Sequence, residues 1–428
     1  MKHFSQRSDH HRALQRWAAE YGGIYRIRLV DTTMIVVSDP HLVEIVLARG
    51  SEVEKSVEAI YSRLNIINNL KNLPTMFSSK HTSAHWKAVR KGVSPAFNQN
   101  NIRRAAPTHS LWCALAAFLA PDNVLVVGEC HRRRLHPIIT GAVEQLMAIL
   151  RALPNQALDM EDATHRLTLD LIMQWSYNVD FKGVASFGAD AEKIGNGTRD
   201  AGAVERGQGA SKADYSGFQK VMRQLVAANQ AAERGPGDAS VAGHLLRTRD
   251  AAGKPLSDEQ LVCEFGVMFQ GGHDTTARTM AWALYMVANH PEVERRVTAE
   301  LDALGLLATP TRPSPRQLEY DDISKLQYLT NCIKESLRMR PPDCVGQNLA
   351  RHSMPAALAM LFSHFTFRLA DEMGGVEGMT ASEDIGRLAF ARRPAHGLCT
   401  FWRPRLDLSG MKALHPGRGL LMHCTPRV

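Results

Sequence analysis

The chain has 428 residues, 44% of them hydrophobic, which supplies a sizeable core and excludes a chain disordered throughout. Its seven cysteines, at 113, 130, 263, 332, 344, 399 and 424, form no C-x-x-C pair, so they suit neither a zinc site nor a disulfide framework and fit a reducing compartment. The formal charge of +8 suits a solvated surface, an acidic protein partner or an anionic membrane surface, and with no nucleic-acid-binding module beside it no nucleic-acid partner is expected.

The opening residues, MKHFSQRSDHHRALQRW, contain no apolar run, so neither a signal peptide nor a membrane anchor is expected there. The longest apolar stretch, residues 111–120, is too short to span a bilayer. The expectation is a soluble or membrane-peripheral intracellular protein. IYRIRL and MIVVS flank Asp31-Thr32-Thr33 and predict a small β-hairpin. Asp39 then caps a helix over 41–49, with Pro40 in its first turn. A short helix is expected over 83–91. Residues 105–135 show no sustained period and end in Arg132-Arg133-Arg134. Helical patterning resumes over 138–153 and 160–177. Residues 187–214 are rich in Gly and Ser and read as a mobile connection, and 218–233 returns to helix.

The strongest periodic run is 257–289, a long helix with a capped start at Ser257 and a glycine pair, Gly271-Gly272, in its interior. Two interior glycines cost roughly 1 kcal/mol each relative to alanine, so something must compensate. Pro291 opens the next helix, a Pro-rich loop follows, and further helices are expected over 325–339 and 346–362. Pro355 falls inside the last of these, where a proline removes a hydrogen bond at a cost of about 3 kcal/mol. Residues 365–369 and 419–423 alternate like strands, and 381–418 is of mixed composition.

Four motifs carry chemistry. In Gly271-Gly272-His273-Asp274-Thr275-Thr276, glycines let a flat group approach the backbone, and a threonine hydroxyl can bond a carbonyl one turn back. Asp274 beside Thr275 can shuttle protons; the competing reading is a helix kinked for packing. Glu335 and Arg338 share a helix face and can pair, as surface residues three apart commonly do. Cys344 precedes a helix N-terminus, which stabilises a thiolate able to ligate haem iron, and Gly346 leaves room for a porphyrin; the alternative is a small buried cysteine. Trp86 and Arg90 lie on one helix face and can both reach an anion, or belong to an amphipathic basic helix.

The order W-x-x-x-R, G-G-x-D-T-T, E-x-x-R, C-x-G-x-x-x-A, with flanks such as HWKAVRKGVSPAFN, LQYLTNCIKESLRMRPP and CVGQNLAR, resembles the cytochrome P-450 family, especially its eukaryotic branches. The resemblance covers roughly 13–104, 138–376 and the last few residues. It implies one mainly α domain over 1–428, a P-450-like helical fold with a small β region, incomplete, in which 105–135, 187–214 and 381–418 are atypical or loop-like. It implies haem b, with Cys344 as the iron ligand, Gly346 beside it, Trp86 and Arg90 on the propionates, and Gly271 and Gly272 making room over the ring. Asp274 and Thr275 would deliver protons to dioxygen, and Glu335 and Arg338 would be structural. The implied reaction inserts one oxygen atom into a small, lipophilic organic substrate, with electrons from NADPH through a reductase, and the eukaryotic resemblance implies peripheral contact with a membrane surface. The expected pocket walls are 60–77, the helix near Phe218, and 265–269.

The pattern departs from the family at one place. Only five residues, Met339–Asp343, separate Arg338 from Cys344, where the family has several dozen. Leu337, Arg340 and Pro342 stand where the cysteine loop has Phe, Gly and Arg. Six chain steps still span up to about 20 Å, so reach does not forbid haem ligation. The loss falls on the contacts that shield and orient the thiolate. Two readings follow: a haem monooxygenase, or a truncated member without turnover that acts at most as a haem-binding or interaction protein.

Overall fold

The computed structural model describes residues 10–29, 32–47, 73–103, 135–154, 156–195, 212–232, 238–337, 344–374 and 420–428, with the backbone of short strands at 383–384, 388–391, 401–404 and 415–416. In chain order the described elements begin with α1 (His10–Tyr21), β1 (Ile24–Leu29), β2 (Thr32–Val37) and α2 (Pro40–Leu47). The hairpin and the Asp39 cap lie where the sequence predicts them: β1 and β2 pair antiparallel, and Asp39 Oδ1 accepts from the backbone N–H of His41 and Leu42 at 2.9 and 3.0 Å.

Next come α3 (Ala84–Val93), α4 (Gln99–Arg103), α5 (Leu135–Ala152), β3 (Ala157–Asp159), α6 (Met160–Tyr177), α7 (Gly183–Gly195), α8 (Lys212–Ala231) and α9 (Val241–Arg247). Residues 187–195, expected in a mobile connection, are helical and form the end of α7. Asp170 on α6 explains its start: the carboxylate accepts from the backbone N–H groups of Gly183 and Val184 at 2.7 and 2.9 Å, satisfying donors that a helix start leaves open. Residues 196–211 lie outside the described residues, as do 104–134, most of the expected atypical segment 105–135.

The chain continues through α10 (Asp258–Ala288), α11 (Pro291–Ala303), α12 (Gln327–Leu337), α13 (Gln347–His364) and β4 (Phe365–Leu369). It ends with β5 (Glu383–Asp384), β6 (Leu388–Ala391), β7 (Phe401–Pro404), β8 (His415–Pro416) and β9 (Leu421–Pro426). The 31-residue α10 is the spine. Ser257 caps it by accepting from Gln260 N–H at 3.2 Å, and most of its length is buried. It crosses α6 and also packs on α8, α12, α13 and β4. Pro355 sits inside α13 without ending it, in a run buried from His352 to Ser363. Tertiary packing there outweighs the lost backbone hydrogen bond.

Strand β9 lies between β3 and β4 in an antiparallel sheet, so the last residues of the chain are threaded between distant segments. The architecture is mainly α with a small β region. Among the described residues, no helix is long and apolar enough to cross a membrane.

Candidate active site

The glycine pair inside α10 is compensated by close packing on both residues. A Cβ on Gly272 would stand 2.4 Å from Ile172 Cδ1 on α6, and one on Gly271 would stand 2.7 Å from Phe77 Cζ. Close approach of α6 and Phe77 therefore offsets the conformational cost of the two glycines. The helix here stays α-helical, and the hydroxyls of Thr275 and Thr276 donate to the carbonyls of Gly271 and Gly272 at 3.1 and 3.2 Å. This is the return bond the sequence suggests for threonine in a helix.

Asp274 points the other way, into the α6 interface, and is 4% exposed. Its Oδ1 accepts from Arg278 Nε at 2.9 Å and lies 3.1 Å from His165 Nε2. Its Oδ2 is buried without a hydrogen-bond partner among the described residues. Burial alone would raise this carboxyl, but the His165 hydrogen bond and the Arg278 charge outweigh it and hold the group below the ordinary carboxylate value. For His165 the balance is the mirror image: burial lowers it, and the Asp274 and Glu161 bonds raise it above the ordinary imidazole value. Neighbouring His273 is lowered, chiefly by burial.

On the opposite side of α10 a cavity of about 1070 Å³ opens. Thr275, Thr276 and Thr279 line one wall, and Cys344, Gln347, Asn348 and Arg351, from the start of α13, line another. Thr330, Asn331 and Lys334 of α12 and Tyr320, Ile323 and Leu326 ahead of it also line it. Cys344 is an exposed free thiol three residues ahead of α13, whose N-cap is Gly346. Its carbonyl accepts from Gln347 N–H at 3.3 Å. A Cβ on Gly346 would lie 3.9 Å from Cys344 Sγ, an ordinary contact distance. The structure thus brings Cys344 and Thr275 to one cavity, with Asp274 directly behind the threonine wall.

The remaining sequence-derived residues fall elsewhere. Trp86 and Arg90 share a face of α3 and engage each other, the guanidinium standing 5.8 Å from the indole centroid. Neither lines the cavity, and neither do Gly271, Gly272 or Gly346. Glu335 is exposed on α12, while Arg338 lies outside the described residues. Of the expected pocket walls, 60–72 also lie outside them; Phe218 and Phe269 pack at 5.5 Å, and Phe269 packs on His273 at 4.7 Å.

Three groups escaped the sequence reading. His165 and Arg278 hold Asp274; the Arg278 spacing of four was legible, but His165 comes from another helix. Glu264, fully buried on α10, takes His85 Nε2 at 2.8 Å and Met76 N–H at 3.2 Å, tying α3 and the 73–79 segment to α10. His352 on the cavity wall stacks on Tyr320 at 4.3 Å and lies 3.3 Å from His136, and burial, aided by His136, pulls it down to about 4. A charged residue inside an apolar helical run was the available signal for Glu264; nothing marked His352.

A family model described as Cytochrome P450 matches residues 1–121 and 211–342. The chain belongs to the cytochrome P450 family. The match ends two residues before Cys344. Among individual P450s, human cytochrome P450 4F12 is 43% identical over 98 residues, 23% of this chain and 18% of that protein. Mouse leukotriene-B4 omega-hydroxylase 3 is 43% identical over 101 residues, 24% of this chain and 18% of that one. The chain therefore matches less than a fifth of the length of these curated relatives. The crystal structure of a cytochrome P450, CYP102L1, superposes with a TM-score of 0.61 at 16% identity, covering 86% of this chain and 94% of that one. At that identity the likeness shows the fold: a P450 fold.

The cavity walls fit the haem that the family implies in two respects and differ in a third. The donor set is right for iron, a thiol ahead of a helix N-terminus. The volume lies just above the range of ordinary ligand pockets, roughly 300–1,000 Å³, so a large flat group has room. The cations that line it are Lys334 and Arg351 rather than Arg90.

Proposed function

We propose that the chain is a haem-thiolate monooxygenase that inserts one atom of dioxygen into an organic substrate, with electrons passed from NADPH by a reductase. The observation that carries this is the shared cavity: Cys344 opens on it from one side and the Thr275-Thr276 hydroxyls from another. Haem b bound there supplies oxygen activation. Cys344 would ligate the iron, with Gly346 leaving space beside the sulfur. Lys334 and Arg351 stand where they would meet carboxylates at the cavity edge. Trp86 and Arg90, assigned to the propionates by resemblance, would serve from α3 only if the porphyrin extends beyond the lined cavity.

The protein's own part in the chemistry is proton handling and exclusion of water. Thr275 presents a rotatable hydroxyl to the cavity, and Asp274, immediately before it in the chain, holds a carboxylate oxygen with no partner among the described residues. Gly271 and Gly272 act indirectly, allowing Phe77 and Ile172 to close the back of the helix. Glu335, with Arg338, would be structural. A lipophilic substrate is supported by the mouse relative's name, which specifies leukotriene B4. We assign this chain a lipid-like substrate and, by the same logic, peripheral contact with a membrane.

A second reading, a family member without turnover, is favoured by the five residues between Arg338 and Cys344 and by Leu337, Arg340 and Pro342 in the cysteine loop. Haem titration into the purified chain, followed by ferric absorption, separates the two. Saturation at one haem per chain, lost in C344S, supports the monooxygenase. Equal binding by C344S, or none by the wild type, supports the second reading.

A further inference from the structure

Asp274 has been assigned half of the proton-delivering pair, yet its side chain is only 5% exposed, so a proton must reach it through another group. The surroundings of His165 supply that group. His165 Nδ1 lies 2.8 Å from the carbonyl oxygen of Glu161, and Nε2 lies 3.1 Å from Asp274 Oδ1. A carbonyl oxygen only accepts, so Nδ1 carries its hydrogen. A neutral imidazole has a single N–H, which would leave Nε2 as a bare lone pair facing a carboxylate oxygen. That contact is attractive only when a further proton lies between the two atoms.

Arg278 Nε donates to the same Oδ1 at 2.9 Å, which favours the carboxylate and so places the proton on Nε2. The charged and titratable groups facing His165 are Glu161 on its own helix and Asp274, Arg278 and His273 on α10. Its side chain keeps 23% exposure, so it is the member of the pair that meets water. Asp274 Oδ2 is buried with no partner among the described residues, which leaves the carboxyl with an open acceptor.

We propose that His165 is the proton relay of this site, taking a proton from solvent and passing it to Asp274, which adjoins Thr275 on the cavity wall. In the transfer the Nε2–H bond breaks and an O–H bond forms on Asp274. The imidazole becomes neutral, keeps its Nδ1 hydrogen on Glu161, and is reprotonated by water. The relay rests on the monooxygenase reading; the proton held between His165 and Asp274 does not.

The full chain tests it twice. In a histidine C2–H NMR titration, with H165Q for assignment, the His165 resonance titrates above the ordinary value of 6.5 and moves down in D274N. Titration at or below 6.5, or one unchanged in D274N, overturns the relay. In the haem-loaded chain, H165Q forms product about a hundredfold more slowly, with reducing equivalents diverted to peroxide. H165R keeps the positive charge and donors but holds its proton, and falls as far as H165Q while melting like the wild type. Recovery of turnover in H165R overturns the relay and leaves a structural ion pair. If the chain takes up no haem, the monooxygenase reading fails, and the NMR titration alone supports or overturns the stored proton.

Discussion

The two sides of α10 are built differently. Toward α6, polar groups are tied across the helix crossing: Asp274 to His165, Thr168 Oγ1 to the His273 carbonyl at 3.1 Å, and Tyr177 Oη to the Phe265 carbonyl at 2.6 Å. Gly272 lets Ile172 sit against the backbone. Toward α13, the threonine hydroxyls bond back to their own helix, Cys344 is exposed, and polar side chains line open space. The braced side holds Asp274 and owes its geometry to interhelical contacts. The open side holds the thiol and depends on what fills it. The fold fixes Asp274 by contacts between helices, whereas Cys344 is exposed at the mouth of a helix start.

Substitutions on the two faces should therefore separate stability from ligand chemistry. The largest loss of stability is expected in D274A, which removes the carboxylate that buried Arg278 Nε donates to and costs about 3 kcal/mol or more. Urea unfolding of the wild type and variant measures it; a loss under about 1 kcal/mol would mean that the α6 side is not braced by this carboxylate. G272V forces a branched side chain into Ile172 and costs about 2 kcal/mol by overpacking, read as a lower urea midpoint at unchanged slope. C344A, on the open face, changes stability by less than about 0.5 kcal/mol in the absence of haem.

The pH dependence sharpens the same contrast. The Asp274 carboxyl is depressed, so its contribution is present above the ordinary value of 3.8 and is lost as pH falls through the lowered one. His165 is raised, so its contribution is complete below 6.5 and is lost as pH rises through the raised value. Burial-lowered His273 adds the opposite sign for its own ring: its cost to the fold at low pH is relieved as pH rises from the lowered value to 6.5. Stability-against-pH curves of wild type and D274N should differ most on these two flanks, and parallel curves would remove Asp274 as their source. The smallest effect is expected for R351A. Exposed ion pairs are worth about 0–1 kcal/mol, so its haem affinity should fall by less than about tenfold in an absorption titration.

How legible all this was in the sequence follows the range of the interactions. Residues 257–289 predict α10 almost to the residue because Ser257 is a local cap and the apolar pattern is long. The Thr275–Gly271 and Asp274–Arg278 bonds span four residues and sit within that helix. His165 lies 109 positions from Asp274, and His85 lies 179 from Glu264, distances at which one sequence offers no pairing signal. Residues 187–195 continue a helix that the glycine content argues against; its start at Gly183 and Val184 is held by Asp170 of the preceding helix, a contact between elements that composition does not reveal. The glycine pair was noticed for the right reason, its cost, but the groups that compensate, Phe77 and Ile172, come from elsewhere in the chain.

The central claim is that Cys344 faces the Thr275 wall across a cavity that accepts haem, and the reduced carbon-monoxide difference spectrum of the reconstituted chain tests it most directly. The account predicts a Soret band characteristic of thiolate ligation, abolished in C344A and retained in H165Q. A band characteristic of imidazole ligation, or a spectrum indifferent to C344A, would contradict it.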